Sequence, residues 1–522
     1  MTQLNRTISL WPLVLFGIAY VSPFIVLTTA GSFSEIAQGA LPSAYLLTTV
    51  AMIFTAFSYA KMARLYPSAG SAYTYARKTL DSRIGFMVGW VTLLDYFFLP
   101  MVVWLIGTAY LTSAFPAVPA WVFLTAFIGL TTAINIIGVK VATKVNIVLI
   151  SFQLLVIALF IIFTVVSISN GQIYGAEPEG FTGGSLFAPF WNSGTSLTAI
   201  TAGAAVAAYS FIGFDAVSTF AEETVDPRKT VPKAIILTAL IAGVLFATVA
   251  YFFQLGHPGY AFEDPDSAPL QMAKTIGGNF FGAVFLATVI MTQFTAGIPI
   301  QSAGARLMYA MGRDGVLPRA VFGRISQKTQ TPVINILLTG VIGFIALALT
   351  VSSSTSFINF GAFVAFAFVN ISVIGQFLRD RRQPNATGAK KNTGLLHTLS
   401  WVVQPAIGLA VIIYLMAHLD GHALLLGGIW ATLGLIWLLI ITRCFRRPTP
   451  QAELEDARTQ RSGALAHAKA PDVQGSASEL RDDVEALSAE VGHAVERAFD
   501  IVERTFGFDE FLRLQSPFCH QS

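Results

Sequence analysis

The chain has 522 residues, 54% of them hydrophobic and only 12% charged, with a mean hydropathy of +0.65. That balance excludes an ordinary soluble globular protein. The formal net charge of +3 makes no case for a nucleic-acid partner.

Apolar stretches of about 20 residues, the length that crosses a bilayer, recur about twelve times. In chain order they fall near 10–33, 42–60, 86–113, 118–138, 146–168 and 196–221, then 234–256, 279–305, 333–351, 357–378, 400–418 and 422–442. The first run is too long for a signal-peptide core and is expected to be a retained span. The fold expected is therefore an all-α integral membrane protein in a lipid bilayer.

The basic residues test this count. Of 32 Lys and Arg, 7 lie beyond residue 450. With the N-terminus in the cytoplasm, the other 25 divide 24 inside to 1 outside, the exception being Lys274. Outside loops carry Glu177, Glu179, Glu263, Asp264 and Asp266 instead. This is a strong positive-inside pattern, and it places both termini in the cytoplasm and the protein in a bacterial-type inner membrane. Cys444 and Cys519 both fall on the cytoplasmic side and form no disulfide or metal-ligand pattern.

Residues 1–447 read as one membrane transport domain, 448–478 as a polar linker and 479–522 as a cytoplasmic tail. From Leu480 to Phe506 apolar residues recur in steps of three and four, which is helical periodicity. The tail helix thus has a face. Packing on the membrane domain, self-association into a homo-oligomer and a regulatory contact all fit it. The loop from Lys61 to Ile84 mixes tyrosines with cations, as an interfacial segment does. It reads either as an anchored loop or as a piece that closes a pathway from below.

Two spans are interrupted. In Gly17-Ile18-Ala19-Tyr20-Val21-Ser22-Pro23 the proline removes a backbone donor and disfavours helix at Ser22, and Gly17 is expected to loosen the turn before it, so that both mark the break. Backbone groups freed in a membrane must face protein, water or ligand. The N-terminal end of a half-helix beginning there suits a carboxylate, and the exposed carbonyls before it suit a cation. A plain proline kink is the alternative. In the sixth span Gly213 permits unusual backbone angles, and Tyr209, Phe211 and Phe214 offer aromatic faces for an ammonium. Asp215 stands inside the same apolar run, where an acid costs roughly 2.5–3.5 kcal/mol at a helix centre. It can titrate, bind an amine or pair structurally. Two broken spans in corresponding halves point to a transporter's binding site.

The third span adds Asp95, a second acid within the membrane, and Tyr96, whose ring and hydroxyl suit a central cavity. Glu222 and Glu223 follow near the inner end of the sixth span, either as coupling groups or as part of a solvated ion-pair cluster with Arg228 and Lys229. No Lys or Arg stands well inside a span, so a small cationic or zwitterionic substrate is favoured. There is no phosphate-binding loop, nucleophile–base pair or metal cluster, so neither enzyme activity nor a metal or other cofactor is expected.

These residues resemble the amino acid–polyamine–organocation permeases along nearly all of residues 8–447. The resemblance lies in Gly17 to Pro23, Tyr66 to Tyr73, Gly89 to Tyr96, Phe211 to Thr224 and Arg306 to Asp314. Within that family the chain most resembles the bacterial putrescine importers, through Phe86 to Trp90, Leu93 to Tyr96 and Phe357 to Asn370. The resemblance implies a leucine-transporter-type fold: two inverted five-helix repeats, with helices 1 and 6 broken, and two further helices. It implies substrate held by Tyr20, Val21, Ser22, Phe211, Gly213 and Phe214, with Tyr96 as a cavity contact. It also implies proton coupling through Asp215 and one of Glu222 and Glu223. One departure stands out: those importers can carry an acid shortly after the first break, where this chain has Thr28. The polar tail has no counterpart in the family pattern.

The function expected is secondary active import of a polyamine or amino acid by alternating access, with protons as the coupling ion. An exchanger of the same family and a substrate-sensing receptor signalling through the tail are the alternatives.

Overall fold

The computed structural model describes residues 8–67, 71–137, 143–171, 186–192, 194–221, 224–313, 317–326, 331–382 and 395–446. The proposed linker at 448–478 and tail at 479–522 lie outside the described residues, as do Glu222 and Glu223. The described elements all belong to one unit, Met1–Leu454.

Every named element is helical, and a single β-bridge joins Ile8 to Thr224 in parallel. The first span is two helices, α1 (Leu10–Val21) and α2 (Ile25–Ile36), bent by 44°. The bend falls where the sequence places it: Ser22 adopts φ 53°, and Pro23 follows with no N–H to continue the ladder. Gly17 does not itself break the helix. It stays inside regular α1, and its missing Cβ permits close packing instead, since a Cβ there would lie 2.6 Å from Thr238 Oγ1 and 2.7 Å from Val217 Cγ2.

Next come α3 (Leu41–Leu65), the short α4 (Ser71–Thr79), α5 (Ser82–Ala114), α6 (Ala120–Ile137) and α7 (Thr143–Ser169). The sixth span starts as α8 (Leu197–Ala207) and then changes character. A 3-10 turn covers Ala208–Phe211, Gly213 takes φ 115°, and a second 3-10 turn covers Asp215–Phe220. The half beyond the break is thus wound more tightly than an α-helix, with i→i+3 bonds such as Ala216 N–H to Gly213 O at 3.0 Å.

The second half continues with α9 (Pro227–Gly256), α10 (Ala268–Arg313), the one-turn α11 (Arg319–Phe322), α12 (Val333–Gly343) and α13 (Val351–Arg382). It ends with the one-turn α14 (Leu395–Thr398), a π-helical turn at Leu399–Val403, α15 (Gln404–Ala417) and α16 (Gly421–Ile441). Gly278, at φ 72°, divides α10 into a short first segment and the long membrane segment that the apolar run at 279–305 anticipates. Among the described residues, ten helices are long and apolar enough to cross a membrane, or eleven counting the bent pair α1–α2. The expected span at 333–351 is shorter: α12 runs on only through a 3-10 turn to Ala348.

The packing pairs the two halves. α3 packs along α9, α5 along α10, α6 along α12, and α1 against the 3-10 turn beyond Gly213. With about twelve spans counted, these are the second with the seventh, third with eighth, fourth with ninth and first with sixth, as two five-helix repeats require. α16 is fastened to α5 by two reciprocal bonds, Trp90 Nε1–H to Trp430 O and Trp430 Nε1–H to Trp90 O, both 3.0 Å, with the rings stacked at 5.4 Å. At the N-terminal end, the Val225 N–H donates to Ile8 O at 2.9 Å, tying the start of the first span to the end of the sixth.

Candidate functional site

The two breaks meet. A Cβ at Gly213 would lie 2.0 Å from Cδ1 of Tyr20, so the Tyr20 ring rests directly on the Gly213 backbone. Glycine is required there twice over, by the close approach and by the positive φ. Four residues singled out from sequence converge here. Tyr20, Asp95, Tyr96 and Asp215 all lie within electrostatic reach of one another.

Side chains of other helices meet both breaks. α8 ends early, and Asn359 of α13 donates from Nδ2 to the carbonyls of Ala205 at 2.8 Å and Val206 at 3.1 Å. This capping satisfies acceptors that the loss of helix orphans. Past the break, the backbone amides of Gly213, Asp215 and Ala216 donate toward the Asp215 carboxylate, and the Tyr59 hydroxyl donates to its Oδ2 at 3.5 Å. At the first break, the Ser22 hydroxyl reaches Gln153 Oε1 of α7 at 3.5 Å.

Asp95 is 7% exposed, and its Oδ1 has no hydrogen-bond partner. A buried carboxylate oxygen without a donor is costly unless a ligand or proton meets it. Close packing brings another backbone against α5 here: a Cβ at Gly361 of α13 would lie 3.0 Å from Val91 O and 3.3 Å from Asp95 N. Among the described residues, neither Asp95 nor Asp215 has a Lys, Arg or His ion-pair partner.

The other expected site residues sit as follows. Val21 and Ser22 are buried at the first break. Phe214 packs against Phe366 at 5.3 Å and edge-on to Tyr59 at 5.8 Å, beside Asp215. Phe211 turns its ring the other way, onto Phe246 of α9 at 5.1 Å. Thr28, in place of the family's acid, is buried and donates to the Ile25 carbonyl of its own helix at 2.8 Å. Sequence reasoning missed Tyr59, Gln153 and Asn359. It left the Lys61 to Ile84 loop open, and α4 from that loop brings Tyr75 edge-on to Tyr59 at 6.1 Å and within electrostatic reach of Asp215.

The arrangement is a meeting of two broken helices, lined by aromatic rings and two carboxylates, inside an apolar bundle. Comparison with known proteins gives the family. A family model described as amino acid permease matches residues 8–440. The low-affinity putrescine importer PlaP of Escherichia coli K12 is 38% identical over 455 residues, 86% of this chain and 97% of its own length. The branched-chain amino acid permease BcaP of Bacillus subtilis is 25% identical over 466 residues, 84% of this chain and 94% of its own. The human cationic amino acid transporter 4 is 29% identical over 408 residues, 74% of this chain and 62% of its own. The chain belongs to the amino acid permease family, and is a multi-pass transporter of the inner membrane rather than an enzyme.

Proposed function

We propose that the chain imports a small amine of the putrescine class by alternating access, driven by protons. The observation that carries this reading is the pair Asp95 and Asp215, two intramembrane acids within electrostatic reach of each other at the meeting of the breaks. Neither has a cationic partner among the described residues. Two intramembrane carboxylates without a cationic partner favour a dication over a neutral or anionic cargo, because each ammonium end can meet one acid. The likeness to a putrescine importer along most of both chains supports the same choice.

In this reading Tyr20 and Tyr96 flank the ammonium groups by cation–π contact, and Val21, Ser22, Phe211, Gly213 and Phe214 supply backbone and ring surface. Asp215, held by backbone amides and Tyr59, exchanges a proton as the cargo leaves. Glu222 and Glu223, outside the described residues, are the further acids that the sequence puts forward for this coupling step.

Reconstitution in liposomes with an inward proton gradient tests this. Saturable uptake of labelled putrescine should collapse with the gradient and be displaced by diamines. Displacement by amino acids alone would move the chain to amino acid import. Uptake that needs counter-substrate inside and ignores the gradient would make it an exchanger. Binding without flux would leave the receptor reading.

A further inference from the structure

One connection between spans leaves large apolar side chains uncovered. Between α7 and α8, residues 186–190 form a tight turn, in which the Phe190 N–H donates to Phe187 O at 3.0 Å. Pro189 is buried and Phe190 half-buried, while Leu186 is 71% exposed, Phe187 70% and Trp191, just beyond, 52%. This connection is external on the positive-inside reading, and Glu177 and Glu179 precede it. Three such side chains within six residues are unfavourable in water and call for an apolar cover.

We propose that this turn is seated in the outer leaflet of the bilayer, with Leu186, Phe187 and Trp191 against lipid where acyl chains meet headgroups. Its level in the fold carries the argument. The Tyr251 hydroxyl of α9 donates to Leu186 O at 3.0 Å, and the rings of Tyr251 and Phe190 stack at 5.3 Å. Tyr251 stands five positions before Gly256, the last residue of α9. That is about 7.5 Å inside the end of a spanning helix, at about 1.5 Å rise per residue. Ser43, the third residue of α3, holds the turn from the other side, donating to Phe190 O at 2.6 Å. The turn is thus set down among the helix ends, not raised above them.

The face of α9 beneath it is independent evidence for lipid. Inward from Tyr251 come Thr248, Val244 and Ile241, in steps of three, four and three, the spacing of one helix face. All three are exposed, and the Thr248 hydroxyl is satisfied within its own helix by Val244 O at 2.7 Å. On a membrane-spanning helix such a stripe meets acyl chains, so the turn continues a lipid-facing surface. No charged residue occurs from Gly180 to Phe214 to draw the segment into water. The Trp191 indole, apolar in body and polar at its N–H, suits the interface. Asn192 next to it donates to Gln38 O at 3.1 Å, so lipid contact here braces the corner between α2 and α3 together with the start of α8.

Nitroxide labels test this on the full chain in nanodiscs of phosphatidylethanolamine and phosphatidylglycerol. They are placed through Leu186→Cys, Phe187→Cys or Trp191→Cys, each combined with Cys444→Ser and Cys519→Ser. Power saturation compares collision with oxygen, which concentrates among acyl chains, against a nickel chelate that stays in water. Oxygen should be favoured at least threefold at all three positions, relative to a label at Glu263→Cys in the exposed outer loop. In a second measurement that spares the turn, the emission lost in Trp191→Phe should be quenched by brominated acyl chains and not by iodide. Nickel access equal to that at Glu263→Cys, or quenching by iodide, overturns the proposal. Labels shielded from both reagents would mean a second copy or another protein covers the turn, and would overturn it as well.

Discussion

Tyr20 and Gly213 come from helices nearly two hundred residues apart, yet the ring of one lies on the backbone of the other, closer than a Cβ would permit. The two breaks are therefore one structure. The first supplies a kinked helix end with an aromatic ring. The second supplies a backbone that has given up its side chain to receive it.

Gly213→Ala should be severely impaired. The added methyl meets Tyr20 and also forces a side chain onto φ 115°, a strain on the order of 1–3 kcal/mol. Uptake should fall at least tenfold, with thermal stability lowered by a few degrees. Wild-type uptake in this variant would show that the Tyr20–Gly213 contact is not needed in the transport cycle.

Asp215→Asn should uncouple before it fails to bind. The amide keeps the shape that Tyr59 and the local backbone hold, but it carries no exchangeable acidic proton. Uptake should lose its dependence on the proton gradient while putrescine binding changes by less than about tenfold, or roughly 1.4 kcal/mol. Gradient-driven uptake at the normal rate would remove Asp215 from the coupling step.

Asp95→Asn should act on cargo selection. It removes one of two buried carboxyl groups, and a charge-assisted contact of such a group with an ammonium is worth about 1.5–3 kcal/mol. Diamine affinity should drop roughly tenfold or more, while any residual binding of zwitterionic amino acids changes little. Competition assays with both ligand classes read the difference. An equal loss for both would point to a structural role in the α5–α13 contact.

Much of the architecture was legible because membrane sequences are strict. Apolar length sets the spans; Pro23 marks the first break because it has no N–H to continue the helix, and Gly213 marks the second because few other residues permit its backbone angle. Asp95 and Asp215 were visible because an acid in an apolar run is expensive. Tyr59 and Asn359 were not. Tyrosine and asparagine recur in this chain's spans, as at Tyr45, Tyr110, Asn135 and Asn370, and the partners of these two lie about 150 residues away in the chain. Gly17 misled for a related reason: a glycine inside a helix signals either a break or a close contact, and only the neighbouring Thr238 decides which. The 3-10 winding after Gly213 was hidden too, since over six residues its apolar pattern does not differ from that of an α-helix.

The link between Ile8 and Val225 is written entirely in backbone atoms. Substituting either side chain leaves its donor and acceptor in place, so an alanine scan would pass over it. A proline at position 225 would delete the donor, and an ester replacing that amide would do so without changing the side chain. The two segments can thus diversify in sequence while staying joined, because what joins them is common to nearly every residue type.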